Sequence, residues 1–397
     1  MTKEMKETVR QYLLLQSTTS FGISFISAFY VTFLLLKGLN YMEINLVNFF
    51  FWVTLFVCEL PTGAFADIYG RKKSYVISCC LFGVGMLIYG FAQSFWGFVL
   101  AEVVSAVGQT FSSGAFNAWM VDRLKQQGFT GSFAPIFARK QQLGNIIGIV
   151  SAISGAFLGT IWLPLPWFMA GSVMLSAGCL AMVFMKEDFK KKDLSFADDL
   201  ARMKETVVDS VRYSLSSKPV RFILVVGMFQ WFAVQAPNMQ WQPFFRGSLS
   251  SQVELGYVKA GISICLMIGA SIAPWFLGKI KDERKSIALI QIVVGFGIVG
   301  TVLSPLFGTA FAVFMGHEIA RGMLDPLKET YLQDNIPQDK RATIASCDSM
   351  SMRVGGIIGL LVTGALAQYV SLPSAWIVSG LVLTIAALFL LRNSCKN

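Results

Sequence analysis

The sequence predicts an all-α membrane protein, with twelve transmembrane helices in two six-helix bundles and both termini cytoplasmic. Three observations predict it. Only 14% of the 397 residues are charged and 54% are hydrophobic, whereas a soluble chain carries charge on roughly a quarter of its residues. Apolar stretches of about 20 residues, enough to cross about 30 Å of hydrocarbon as helix, recur along the whole chain. Lysine and arginine are concentrated in alternate connections between those stretches, which fixes orientation.

The elements follow in order. The N-terminal segment mixes Lys3, Lys6 and Arg10 with Glu4 and Glu7 and runs into a long apolar stretch. That stretch exceeds a signal-peptide core and lacks a small-residue cleavage pattern after it, so it is expected to be retained as span one, at 13–36. Spans two to six are expected at 44–66, 74–92, 96–120, 139–160 and 165–185. Spans seven to twelve are expected at 220–243, 257–278, 286–306, 308–331, 345–369 and 374–391. With the N-terminus inside, the inner connections hold Arg71, Lys72, Lys73, Arg123, Lys125, Arg139 and Lys140, nine basic residues between Lys186 and Arg221, and further basic residues after spans eight, ten and twelve. The outer loops hold only Lys37 and Arg246.

The chain therefore divides into an N-terminal bundle (1–185), a cytoplasmic linker (186–219) and a C-terminal bundle (220–397). Within the linker, Phe196, Leu200, Met203, Val207 and Val211 recur at helical spacing, and Ser195 followed by Asp198 resembles a helix N-cap. An amphipathic helix on the inner leaflet is expected there. Six spans, a long linker and six spans is the layout of paired transporter halves.

The net charge of +10 sits on one membrane face, so it implies no nucleic-acid partner. Seven cysteines, at 58, 79, 80, 179, 265, 347 and 395, show no metal-ligand spacing with the single histidine, His317. They read as small hydrophobes. His317-Glu318 without a second histidine supplies neither a metalloprotease motif nor a nucleophile with its base, and no Gly-x-x-x-x-Gly-Lys loop is present. Neither an enzyme, a metal nor a cofactor is expected; energy comes from an ion gradient or from the substrate's own gradient.

The most specific signal is the turn between spans two and three. Gly63, Asp67, Gly70, Arg71, Lys72 and Lys73 match the Gly-x-x-x-Asp-x-x-Gly-Arg-Lys/Arg signature of the major facilitator superfamily, and the 6+6 layout extends the resemblance over the whole chain. Ser113 to Trp119 ahead of Asp122, and Arg321-Gly322 with Pro326, Tyr331 and Pro337, resemble bacterial drug-efflux members. The resemblance implies that Asp67 faces the start of span eleven near Ala345, that Arg71 pairs with Asp122, and that together they latch the cytoplasmic side. It also implies that spans one, four, seven and ten line a central cavity. The sequence departs from the antiporter pattern in span five, where Gly144, Gly148, Gly155 and Gly159 recur without the usual Gly-Pro motif; small residues at that spacing permit close helix packing.

Ionisable groups inside spans are costly and mark function. Glu59 lies about 12 Å along span two from Asp67, at 1.5 Å per residue, beside Pro61. Glu102 lies roughly 9 Å from the outer end of span four, and Gln109, Ser113 and Asn117 extend its helical face. Glu318, Arg321, Asp325 and Lys328 form a charged stripe on span ten beside His317. Glu59, Glu102 and Glu318 are the proton-coupling candidates, with Arg321 as electrostatic partner or anion anchor. Gln109, Asn117, Gln230, Trp231, Gln235, Asn238, His317 and Arg321 are the substrate-cavity candidates. The expected protein is a secondary active transporter working by alternating access in the cell (inner) membrane. It is read as a monomer coupling protons to efflux of a small amphipathic molecule. Uptake of a polar or anionic nutrient by symport is the alternative; a lipid flippase or a non-transporting membrane receptor is the third.

Overall fold

Hydrocarbon offers no partner to a peptide group, so a chain crossing it satisfies its backbone internally, as helix. The computed structural model describes residues 1–187, 212, 216–280, 282–336 and 341–394. Among these are fourteen helices and no strand: α1 (Lys3–Ser24), α2 (Tyr30–Leu36), α3 (Tyr41–Tyr69), α4 (Arg71–Phe91), α5 (Phe95–Ser112), α6 (Ala115–Gln126), α7 (Ala134–Ile161), α8 (Leu165–Phe184), α9 (Lys218–Arg246), α10 (Gln252–Ile280), α11 (Glu283–Leu303), α12 (Phe307–Asn335), α13 (Arg341–Tyr369) and α14 (Leu372–Ser394). The amphipathic linker helix expected over 195–211 lies outside the described residues.

Ten stretches among the described residues are helices long and apolar enough to cross a membrane, with α5 and α6 taken together as one. Neither α1 nor α12 is among them. The first expected span is interrupted: 25–29 form successive turns, with Ser27 N–H and Ser27 Oγ both donating to the Ser24 carbonyl. A serine hydroxyl that competes for backbone carbonyls in this way loosens a helix. In α12 the buried His317, Glu318 and Lys328 lower the apolar content.

The fourth expected span is also broken, at Gly114, whose φ of +74° lies in the left-handed region. Ser113 ends α5 by donating to Gln109 and Thr110, and Gly114 opens α6. Glu102 and Gln109 are therefore on one helix and Asn117 on the next, so the polar face read along a straight span is bent.

The described residues of 1–33, 50–204 and 251–260 gather into one unit, and those of 34–49, 205–250 and 261–397 into another. Between helices in lipid, close van der Waals packing replaces the hydrophobic effect as the cohesive term, which favours small residues at crossings. In the first unit the glycines of α7 lie along the first span. A Cβ at Gly155 would collide with the Phe25 carbonyl, and one at Gly159 with the Phe29 ring. Gly144 and Gly148 lie beside Ser20 and Ser24. Phe33 stacks on Trp167 at 3.7 Å, with Phe29, Tyr89 and Phe98 around them. In the second unit α11 and α14 meet at Gly295 and Gly380, where a Cβ on Gly295 would stand 2.7 Å from the Gly380 carbonyl oxygen. Trp376 stacks on Phe244 and lies against Phe314.

Candidate functional site

The turn at Gly70 is a single residue between two long helices. Its φ of +100° excludes the Ser, Thr or Asp that caps a helix with its side chain, and Gly70 supplies no side-chain cap to α4. The orphaned amides are met from elsewhere. The Glu187 carboxylate, just beyond α8, accepts from the backbone N–H of Arg71 at 2.8 Å and of Lys72 at 3.0 Å. A carboxylate at a helix N-terminus also meets the positive end of the helix dipole. The Arg71 guanidinium is ion-paired with Asp122 on α6, and Lys72 Nζ donates to the Met182 carbonyl at 2.7 Å. The turn is thus tied to α6 and to the end of α8. Gly63 and Asp67 lie on α3 immediately before it, both half-buried.

Glu102 on α5 is buried, and its Oε1 accepts from Tyr30 at 2.6 Å and Tyr89 at 3.1 Å. Tyr89 also lies 3.1 Å from the Tyr30 hydroxyl, closing a triangle. Glu59 on α3 is half-buried and accepts from the Ser113 hydroxyl at 3.2 Å.

A cavity of about 360 Å³ opens in the first unit among α1, α4, α5, α6 and α7, lined by Gln16, Tyr75, Gln109, Ser113, Asn117 and Lys140. Asn117 Oδ1 accepts from the Tyr12 hydroxyl at 2.6 Å and from Lys140 Nζ at 2.9 Å. Gln109 and Asn117 are therefore brought together, and Glu102 belongs to the separate tyrosine cluster.

In the second unit α9 and α12 build another cluster. Glu318 Oε2 lies 2.8 Å from Arg321 Nη2, and Arg321 Nη1 donates to Asn238 Oδ1 at 2.9 Å. His317 Nδ1 stands 2.6 Å from the Phe314 carbonyl; a carbonyl only accepts, so this nitrogen carries the proton. His317 Nε2 faces Glu318 Oε1 at 3.6 Å. Both side chains are buried, with Glu318 1% exposed. Gln230 and Gln235 are buried and Trp231 half-buried. Gln235 packs on α13, where a Cβ at Gly356 would stand 2.9 Å from its Nε2, so it does not join the Arg321 cluster. Nor does the α12 stripe act as one unit. Asp325 is exposed, and Lys328 turns to Asp348 on α13, with Nζ–O distances of 3.2 and 3.0 Å.

Sequence reasoning misses Glu187, Tyr30 and Tyr89 as partners, Lys140 as a cavity residue, and Asp348. Asp348 carries the signal that marks Glu59, Glu102 and Glu318, an acid inside an apolar stretch. Lys140 reads as one of the topology-setting charges beside Arg139, although it lies in the second turn of a membrane helix.

The sequence profile described as the Major Facilitator Superfamily matches residues 12–317 and 282–394. The uncharacterised MFS-type transporter YxaM of Bacillus subtilis (strain 168) is 23% identical over 369 residues, covering 90% of this chain and 89% of its own. Multidrug resistance protein 2 of the same organism is 24% identical over 329 residues, covering 78% and 77%. The crystal structure of nucleoside transporter NupG superimposes with a TM-score of 0.77 over 97% of this chain and 98% of that one, at 12% identity, a likeness of fold. A profile match along nearly the whole chain, on an all-helical fold with the signature turn between the long apolar helices α3 and α4, places the protein in the Major Facilitator Superfamily of membrane transporters.

Proposed function

We propose that the protein is a proton-coupled secondary transporter of the cell (inner) membrane, with twelve spans divided as 1–185 and 220–397 and both termini cytoplasmic. It exports a small amphipathic molecule by alternating access. The observation that carries the coupling is the facing of His317 Nε2 and Glu318 Oε1 across 3.6 Å. A ring nitrogen and a carboxylate oxygen so placed in a buried site can hold one proton between them. Arg321 holds the other carboxylate oxygen, so adding or removing that proton changes the charge balance of a cluster that also grips Asn238 on α9. A charge change at a packed helix junction biases a two-state equilibrium by a few kcal/mol. Glu59 and Glu102 are secondary proton sites, and the Gly63–Lys73 turn with the Arg71–Asp122 pair is the cytoplasmic gate. Export is the direction named for a relative, the multi-drug resistance efflux pump PmrA homolog of Lactococcus lactis subsp. lactis (strain IL1403), 23% identical over 333 residues.

The test is pH-gradient-driven flux of cationic, neutral and anionic amphipathic dyes in proteoliposomes. Glu318→Gln keeps shape but not the ionisable oxygen and is expected to abolish the driven component; Glu59→Gln is expected to reduce it. Unchanged driven flux in both variants would sink coupling through these groups. Reversing the imposed gradient separates export from the second reading, uptake of a polar or anionic nutrient by symport, which Lys140 of the first-unit cavity, ion-paired with no carboxylate among the described residues, favours.

A further inference from the structure

We infer that the first-unit cavity is a binding site for a small organic anion with an aromatic or aliphatic body, its acidic group held by Lys140 and Tyr75. The inference rests on the transporter reading above and names the substrate class of that site.

The first argument is charge. Lys140 is half-buried on the cavity wall, and no carboxylate among the described residues is ion-paired with it. Its ammonium donates to Asn117 Oδ1 at 2.9 Å and lies 5.8 Å from the centroid of the Tyr12 ring. Both contacts are neutral. An amide oxygen and a ring face orient an ammonium without cancelling its charge, and they leave donors of the three-hydrogen head unused. The contrast within the same chain is instructive: Arg321 has Glu318 and Lys328 has Asp348. Lys140 alone of the three is left for a ligand to neutralise.

The second argument is independent of charge. Tyr75 is 3% exposed, and its buried hydroxyl, near Thr19 and Cys79, makes no hydrogen bond of full distance and angle to any of the described residues. A buried hydroxyl without a partner costs free energy. This one belongs to a residue lining a cavity of about 360 Å³, and a carboxylate there would accept from it.

The third argument concerns the body of the ligand. Tyr75 stacks on Phe116 at 4.3 Å and Phe116 on Tyr12 at 4.8 Å, and Phe82, Ile23 and Met174 complete the wall. A cavity with a cation that no carboxylate among the described residues pairs, amide and hydroxyl groups around it, and an aromatic and aliphatic patch on its wall selects an amphipathic acid. The space suits a small molecule, at the lower end of the roughly 300–1,000 Å³ typical of ligand pockets.

The experiment is equilibrium binding to the purified full-length protein in detergent, read by thermal shift and by tryptophan fluorescence. The probes are benzoate, phenylacetate and octanoate, each against its neutral amide. At least one acid is expected to stabilise the wild type in a concentration-dependent way while its amide does not. Lys140→Gln keeps a polar side chain beside Asn117 and is expected to weaken that acid at least tenfold; Lys140→Arg restores binding to within about threefold. Tyr75→Phe, which removes only the orphan hydroxyl, is expected to weaken the acid without lowering the stability of the ligand-free protein. No acid-dependent shift in the wild type, or equal binding by Lys140→Gln, would overturn the site. Binding needs no gradient, so Glu318→Gln is expected to bind the acid as the wild type does. Lost binding with intact driven flux of other dyes refutes the anion site alone, and lost flux with intact binding refutes the coupling alone.

Discussion

Replacing Asp348 by asparagine is expected to destabilise the fold by about 3–5 kcal/mol, the cost of leaving a buried charge without its partner. The geometry places this pair in the costly class. Lys328 Nζ lies within 3.0 and 3.2 Å of the two Asp348 oxygens, and the side chains are only 5% and 9% exposed. Its other neighbour, Met352 Sδ at 3.4 Å, is a weak acceptor. Space is short on the α9 side, where a Cβ at Gly227 would stand 2.7 Å from Asp348 Oδ1 and 3.1 Å from Lys328 Nζ. Little room remains for water to take the place of the lost charge. Reversible unfolding in mixed micelles would register the loss as two to more than three orders of magnitude in the folding equilibrium, at about 1.4 kcal/mol per tenfold. Lys328→Met should cost a similar amount. The double variant Lys328→Met/Asp348→Leu should recover most of the stability, because both desolvation penalties vanish together. A loss under about 1 kcal/mol for Asp348→Asn, or a double variant as unstable as the two single losses added, would refute the reasoning.

Two further predictions concern turns. Glu187→Ala removes the acceptor of the Arg71 and Lys72 amides and is expected to cost about 1–2 kcal/mol, as loss of a helix cap does; faster hydrogen exchange at those two amides would report it, and unchanged exchange would contradict the capping role. Gly114→Ala meets no atom within 4 Å, yet at φ +74° the added Cβ is expected to cost about 1–2 kcal/mol in backbone strain, measurable in the same micelles, and a neutral result would show that the α5–α6 bend does not require glycine.

What the sequence made legible follows from the range of each signal. Long apolar stretches reflect a local requirement, backbone satisfaction in hydrocarbon, and they mark the helices over most of the chain. Breaks inside spans were less legible. Gly114 looks like the small residues that permit packing, and only its dihedral shows it to be a bend. The 25–29 interruption depends on hydroxyls bonding to nearby carbonyls, which no periodicity reveals. Residue types marked Glu102 and Arg321, but their partners Tyr30 and Tyr89, or Asn238, come from other helices. Glu187 shows the limit well: a glycine required by φ at one end of a connection creates a need that a residue 116 positions away meets.

The buried acids differ in what a proton would do to each, and the partners decide it. Asp348 is held by a lysine that can only donate, so protonation would strip Lys328 of its counter-charge and leave the new hydroxyl facing donors. Glu102 is held by two tyrosine hydroxyls, each able to donate or accept. If Glu102 gains a proton, rotation of the Tyr30 or Tyr89 hydroxyl keeps the triangle bonded, so the site tolerates either state with little rearrangement and signals little. Glu318 is different. One of its carboxylate oxygens is held by Arg321 and the other faces His317 Nε2, so a proton gained or lost there alters both contacts. The same cluster links α9 to α12 through Asn238. A proton site drives a conformational equilibrium only where binding changes the contacts between elements, and among these acids Glu318 meets that condition.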